Sequence, residues 1–325
     1  MNEHFSQPLV TVFGGAGYIG SVLVPLLLNE GYRVRVFDNL LYGDHGIERL
    51  DSSRVELIRG DICDTFAVSN ACRNAEAVIL LAAIVGRRAN DINRTTMRDI
   101  NFLASSVVLD AAVEHGASRF IFASTDSVYG VQSGIIYETT TPEPVTLYSR
   151  LKLRMEERVT SRKARGFHPV ALRIPTCYGY SPRMRFDLVA NSMIRDAVCK
   201  KLVTVLGGEQ WRALVHVEDA ARAFVSCLRA HENLISGEVF NVAAKSQNLQ
   251  IRDLAKLVLE VRPDSDVRFE DAEPDLLDYH LSCAKIEKIL DFEAKHSIRD
   301  ALIDLAGRLE RQEFGDPYRL KYQNT

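Results

Sequence analysis

The sequence contains no apolar run approaching the ~20 residues that a membrane-spanning helix requires. It also lacks an excess of positive charge: 40 Lys and Arg stand against 43 Asp and Glu, a formal net charge of -3. No nucleic-acid or membrane-binding face is therefore expected, although a few placed arginines suffice for a small anion. The six cysteines, Cys63, Cys72, Cys177, Cys199, Cys227 and Cys283, include no CxxC pair. Zinc sites and disulfide frameworks need closer organisation, so six reduced thiols and no metal are expected. The N-terminus opens polar and acidic and runs into a strand-like stretch, without the positive flank of a secretory signal. The expectation is a cytoplasmic protein.

Alternation is the dominant pattern. Short β-branched and aromatic runs at residues 9–13, 33–37, 55–59, 77–81, 119–123 and 169–174 are separated by amphipathic stretches such as 18–29, 95–115 and 148–165. Buried strands alternating with helices in this rhythm predict an α/β fold, a Rossmann-like doubly wound parallel sheet. Beyond Gly179 the rhythm loosens, which suggests a smaller C-terminal α/β part. Residues 1–175 are expected to form the first domain and 176–325 mainly the second. The stretch 214–244 reads as a helix and strand returning to the first sheet.

The first run leads directly into Gly14-Gly15-Ala16-Gly17-Tyr18-Ile19-Gly20 and then an apolar helix. Glycines at this strand-to-helix turn let backbone approach a pyrophosphate, and the helix start offers free N–H groups and a positive dipole end. Tyr18 and Ile19 lie in the same cradle. The second run ends in Asp38-Asn39. An acidic residue there accepts hydrogen bonds from ribose hydroxyls and repels an extra phosphate, which argues for NAD over NADP. Arg33 and Arg35 precede the strand tip and are expected to face solvent. Asp61, with Ile62, closes the third run, either reaching the adenine or serving as a turn residue.

Tyr148 and Lys152 stand four residues apart at a helix start and so share a face. A nearby ammonium is expected to lower the phenol pKa from its usual ~10, as removing or returning a hydroxyl proton requires. Such a pair is common by chance, but here the run 119–123 delivers Ser124-Thr125-Asp126-Ser127-Val128-Tyr129-Gly130 to the carboxyl edge of the sheet. Active groups of open α/β sheets lie at that edge.

GGAGYIG, DNLLYG, STDSVYG, YSRLK, LRIPTCYG, SPRMRFDL, GGEQWRALVHVEDAARA and EVFNVA follow in order over nearly the whole chain. Together they resemble the extended short-chain dehydrogenase/reductase family, in its nucleotide-sugar epimerase and dehydratase branch. The resemblance implies that Thr125 binds the reacting sugar oxygen, with Tyr148 as acid and base and Lys152 as its partner and ribose holder. It implies that Leu81, Ala82 and Ala83 line the cofactor diphosphate, that Pro175, Thr176 and Cys177 lie near the nicotinamide, and that Asn101 supports the site. Cys177 is expected to pack without reacting.

Three departures bear on the reaction. The dehydratase relatives carry Thr-Asp-Glu, whereas Thr125-Asp126 is followed here by Ser127. Thr176 stands where the epimerases usually place an Asn. No Arg occurs from Phe269 through Lys285, around Pro274-Asp275-Leu276-Leu277-Asp278-Tyr279, and Arg268 lies just upstream. Arg212 is the matched phosphate anchor. Arg183 and Arg185 add charge to the sugar-nucleotide site or form a solvated loop, and Arg87 and Arg88 carry the same alternative. The expected activity is NAD-dependent epimerisation of a nucleotide sugar at C4, as in relatives of the UDP-glucose 4-epimerase type. A ketoreductase or dehydrogenase is the alternative, with a 4,6-dehydratase third. The family's dimer helices correspond to residues 95–115 and 148–165, so light scattering should report twice the chain mass; a monomer at micromolar concentration would reject that assembly.

Overall fold

In the computed structural model, which describes residues 7–44, 47, 50–85, 93–271 and 280–324, the chain begins with β1 (Leu9–Phe13). The glycine turn leads on into α1 (Gly20–Asn29). Then come β2 (Arg33–Asp38), β3 (Val55–Arg59), α2 (Thr65–Cys72) and β4 (Ala77–Leu80). The stretch expected as one long helix comprises α3 (Arg94–Arg98), a π-helical segment (Asp99–Ala104) and α4 (Ser105–Glu114). β5 (Arg119–Thr125), α5 (Leu147–Thr160) and β6 (His168–Ile174) follow.

Later elements are β7 (Thr176–Tyr178), α6 (Val189–Lys200), β8 (Leu202–Leu206), β9 (Trp211–His216), α7 (Val217–Arg229), α8 (Glu232–Ile235) and β10 (Glu238–Asn241). The chain closes with β11 (Asn248–Gln250), α9 (Ile251–Val261), β12 (Asp266–Glu270), α10 (Ala284–Leu290) and α11 (Ile298–Glu310).

Seven strands form one parallel sheet in the order β10-β6-β5-β4-β1-β2-β3. The central strands β1, β4, β5 and β6 are largely apolar and buried because both faces of the sheet are covered there. Val10, Val12, Ile79, Ile121 and Leu172 pack with Leu23, Leu27 and Phe224 of α1 and α7. Their neighbours Phe13, Val78, Leu80, Phe120 and Phe122 turn to the opposite face, against α2, α4 and α5. Strand order reverses between β1 and β4, and the crevice beyond the carboxyl ends at such a point is where α/β sheets bind ligands.

Arg35 does not face solvent freely. It pairs with Glu56 at 2.7 Å and donates to the carbonyls of Ala71 and Arg73, across the start of β2 from its tip.

Outside the main sheet, β7, β9 and β11 form a three-stranded sheet, and β8 pairs with β12. Asp219, with no exposed surface, joins α7 to the segment before α11. Its carboxylate accepts the backbone N–H groups of Lys295 and His296 at 2.9–3.1 Å and the Arg222 guanidinium at 2.7 Å. Burial would raise its pKa, but the backbone N–H groups of Lys295 and His296 and the His296 side chain outweigh that and hold it below the ordinary carboxylate value. Asp219→Ala leaves three donors without their acceptor. A loss of about 2–4 kcal/mol is expected in urea unfolding, and an unchanged midpoint would reject the anchoring role.

Candidate active site

A cleft of about 1770 Å³ opens at the carboxyl edge of the main sheet. Gly14, Gly17 and Gly20 form its floor. Gly14 has φ +84°, and a Cβ there would meet the Ala82 backbone nitrogen at 2.6 Å. At Gly20 a Cβ would lie 2.4 Å from the Gly14 carbonyl oxygen. Only glycine lets this turn pass so close to the end of β4 and to the first turn of α1. α1 begins without a side-chain cap and with no acidic residue in its first turn, leaving its N–H groups to an anion. A dinucleotide diphosphate fits this cradle.

Tyr18 and Ile19 line the cleft, but the Tyr18 hydroxyl turns away and donates to the Gly179 carbonyl at 2.6 Å. Asn191 closes that contact: its Nδ2 donates to the Tyr18 hydroxyl at 3.2 Å, and its Oδ1 accepts the Gly179 N–H at 3.0 Å. Ser181 donates to the Tyr18 carbonyl at 2.7 Å and lies 2.8 Å from the Ser21 hydroxyl. The start of α1 is thereby fastened to residues 179–191.

At the tip of β2 the Asp38 carboxylate accepts from the Ala16 and Leu40 N–H groups at 3.0 and 2.9 Å. Burial raises its pKa, partly countered by those bonds and by the charge of Arg183. Its remaining lone pairs suit ribose hydroxyls. Asn39, Asp61, Ile62, Leu81, Ala82 and Ala83 also line the cleft. Asp61 is exposed and caps a turn, accepting the Cys63 N–H at 2.8 Å.

At the other end stand Thr125, Asp126, Tyr148 and Lys152. Thr125 ends β5 and lies near enough to Tyr148 to lower its pKa. Its hydroxyl lies 3.3 Å from Asp126 Oδ1 and 3.2 Å from Ser127 Oγ. Lys152 is 4% exposed; its ammonium donates to the Ala123 carbonyl at 2.6 Å and lies over the Phe122 ring.

The ionisation differs from the sequence expectation. Burial raises the Tyr148 pKa above the ordinary phenol value, and Thr125 offsets this only in part. Burial in turn lowers the Lys152 pKa to about 7, against the pull of Glu156. The pair therefore rests towards its uncharged forms. Spacing along a helix set the shared face but said nothing of the dielectric around it.

One helical turn beyond Lys152, Glu156 is 3% exposed and accepts from Arg173 Nη2 at 2.6 Å, Arg173 Nε at 3.1 Å and Ser124 Oγ at 2.5 Å. Sequence reasoning missed this cluster, although the Lys152-to-Glu156 spacing carried its signal. It also missed how Asn101 acts. From the π-helical segment, buried Asn101 accepts the Ile84 N–H at 2.8 Å and donates to the Ile84 carbonyl at 2.9 Å. It thus pins the strand end that forms the cleft wall.

Pro175, Thr176, Cys177, Arg185 and Arg212 complete the lining. Burial pushes the Cys177 thiol up to about 12, a poor nucleophile. Arg185 forks onto Asp187, and Arg212 donates to the Trp211 carbonyl at 2.7 Å. Arg183 lies against Tyr42, four residues past Asp38, and not beside Tyr148. Arg268 is exposed on β12, opposite Thr204 of β8. Arg87, Arg88 and residues 274–279 lie outside the described residues. His216, Glu218 and His296 come within 4.8 Å of one another. The two imidazoles stack at 19°, with ring centroids 4.3 Å apart.

Residues 10–243 match the profile of the NAD dependent epimerase/dehydratase family. YtcB of Bacillus subtilis (strain 168), described as an uncharacterised UDP-glucose epimerase, is 27% identical over 90% of this chain and 95% of its own. A dTDP-glucose 4,6-dehydratase of Streptomyces niveus is 25% identical over 91% of this chain and 90% of its own. Among solved structures, UDP-glucuronic acid 4-epimerase from Bacillus cereus, in complex with UDP-glucuronic acid and NAD, superposes with a TM-score of 0.81. It is 27% identical, covering 93% of this chain and 99% of that one.

Burial raises the Asp126 pKa to about 7, only partly offset by its bond with Thr125 and by the charge of Arg212. With a folded value above the ordinary 3.8, neutral Asp126 favours folding at low pH, and that contribution fades as pH rises through 7. Asp126→Asn should therefore gain stability relative to the parent between pH 5 and 8 in urea unfolding. A pH-independent difference would show that Asp126 is not held protonated.

Proposed function

The chain belongs to the NAD-dependent epimerase/dehydratase family, and we propose that within it the protein is a nucleotide-sugar epimerase that inverts the C4 hydroxyl. NAD, held by the glycine cradle, Asp38, Tyr148 and Lys152, supplies the hydride acceptor and donor for that carbon. Thr125 would bind the C4 oxygen, and Tyr148 would take the hydroxyl proton as the C4 hydrogen leaves as hydride to bound NAD, then give the proton back to that oxygen when hydride returns to the other face of the ketone. Lys152 fixes the ribose beside this oxygen. Arg185 and Arg212, reaching from the 176–325 part, grip the diphosphate of the sugar nucleotide, and Thr176 stands near the sugar.

The observation that carries this reading is that Thr125, Tyr148 and Lys152 line the same cleft as the glycine turn, with Thr125 near enough to Tyr148 to lower its pKa. This arrangement puts a hydroxyl donor and a proton-transfer group on one reacting oxygen. Tyr148 must be ionised to accept the proton in the first half of the cycle, so this reading requires a cationic neighbour, such as the oxidised nicotinamide, to lower its raised pKa.

A second reading is 4,6-dehydration, in which oxidation at C4 lets water leave from C5 and C6. It is favoured by Asp126, which burial keeps protonated near neutrality and which lies beside Thr125. Against it stands Ser127, a residue with no general-base capacity at the position expected to hold a carboxylate.

Incubation of the NAD-loaded protein with UDP-glucose, UDP-glucuronic acid and dTDP-glucose distinguishes these outcomes. Epimerisation gives the C4 epimer with no change in mass or in total NADH, whereas dehydration removes 18 mass units (one water) from the sugar, as the reaction class requires. Tyr148→Phe should lose roughly 10²–10⁴-fold in turnover. A Tyr148→Phe protein with unchanged turnover would overturn the assigned proton path, and no C4 epimer from any of the three substrates would reject the epimerase reading for them.

A further inference from the structure

Among the described residues three arginines line the cleft, and they face different parts of it. Arg212 lowers the pKa of Asp126 and Arg185 lowers that of Tyr148, so both lie towards the reacting end. Arg183 is placed differently. Its charge is felt by Asp38, at the tip of β2. Its guanidinium stacks on Tyr42, with the central carbon 4.0 Å from the ring centroid. Its backbone N–H donates to Ser21 Oγ at 3.4 Å, in the first turn of α1. The Ser181, Ser21 and Tyr18 contacts fix that placement.

Arg183 is 2% exposed, yet it is poorly satisfied. Nη2 donates to the Gln323 carbonyl at 3.3 Å, while Nε and Nη1 are buried with no hydrogen-bond partner. Neither adjacent carboxylate is positioned to pair with it. Asp187 is forked onto Arg185, and Asp38 is turned to the Ala16 and Leu40 N–H groups. A buried guanidinium with unmet donors is unfavourable until an anion meets it. Burial accordingly weakens its hold on the proton, down to about 10.

We propose that Arg183 is a ligand of the dinucleotide diphosphate, supplied to the cofactor by the C-terminal half of the chain, and not a ligand of the sugar nucleotide. This rests on the reading of the cleft as a dinucleotide site. The glycine turn and the start of α1 cover one side of the diphosphate, and Arg183 brings the paired N–H donors that match phosphate oxygens to the other. Tyr42 stacks behind the guanidinium and keeps its plane fixed. The sequence expectation that Arg183 belongs to the substrate set is replaced by this assignment.

Titration of the nucleotide-stripped full chain with NADH, ADP-ribose and UDP tests it, by fluorescence for NADH and calorimetry for the others. Arg183→Met should weaken NADH and ADP-ribose at least tenfold and together, with UDP within twofold of the parent. Arg183→Lys, which keeps the charge but not the paired donors, should fall in between. Should Arg183→Met fail to fold, Arg183→Lys decides: a threefold or larger loss for NADH with UDP unchanged supports the assignment, and an unchanged NADH affinity overturns it. Loss confined to UDP in either variant also overturns it. A parent protein that binds no NADH rejects the dinucleotide reading itself, and this assignment with it. NADH binding that is strong in the parent and equal in Arg183→Met rejects only the role of Arg183.

Discussion

The site depends on one buried carboxylate. Glu156 receives Arg173 from β6 and Ser124 from β5, while its own helix α5 carries Lys152 one turn earlier. Three elements are thereby locked in register at the sheet edge, and Lys152 lands on the Ala123 carbonyl as a result. Arg173 also lies over the Tyr129 ring, and Tyr129 donates to Asn241 of β10 at 2.7 Å. The network thus runs to the last strand of the sheet. Such an ion pair adds little net stability against an apolar replacement, but removing one partner strands the other charge in the interior. What it provides is geometry.

That geometry shares its interior with a set of groups that burial holds near neutrality. Tyr148 is raised, Lys152 is lowered and Asp126 is raised, each by loss of solvent before any partner acts. Ordinary values would give an ammonium and a carboxylate here. Arg212 and Arg185 supply the opposing influence at the same end of the cleft, Arg212 on Asp126 and Arg185 on Tyr148.

Much of this was legible in the sequence, for local reasons. Strands such as Val55–Arg59 and Leu9–Phe13 were readable because strand segments are short and bounded by turn residues. The glycine turn was readable because only one residue type fits it. The region after Gly179 was less so: β7, β9 and β11 pair residues far apart in the chain, and three-residue strands carry no period. The residues of the site were named from motif order, yet their environments were not. Nothing in Tyr148-to-Lys152 spacing shows that Ala123 would claim the ammonium. Nothing in Ser181-Pro182-Arg183 shows which end of the cleft the guanidinium meets. The π-helical turn that aims Asn101 at Ile84 is an insertion in hydrogen-bond phase, invisible to a pattern of apolar residues.

The return of β10 to the main sheet has a consequence for how the chain comes off the ribosome. β6 is complete by residue 174, but its outer neighbour is not made until residues 238–241. In between, some sixty residues fold into other layers while one flank of β6 presents unpaired N–H and C=O groups, a template for strand addition by another chain. Pro169, near the start of β6, cannot donate to such a partner, and β10 pairs beyond it, from Val170 to Arg173. A nascent or truncated chain ending before residue 238 would therefore be exposed to edge-to-edge self-association, and the four residues Glu238–Asn241 act as the built-in cover for that edge.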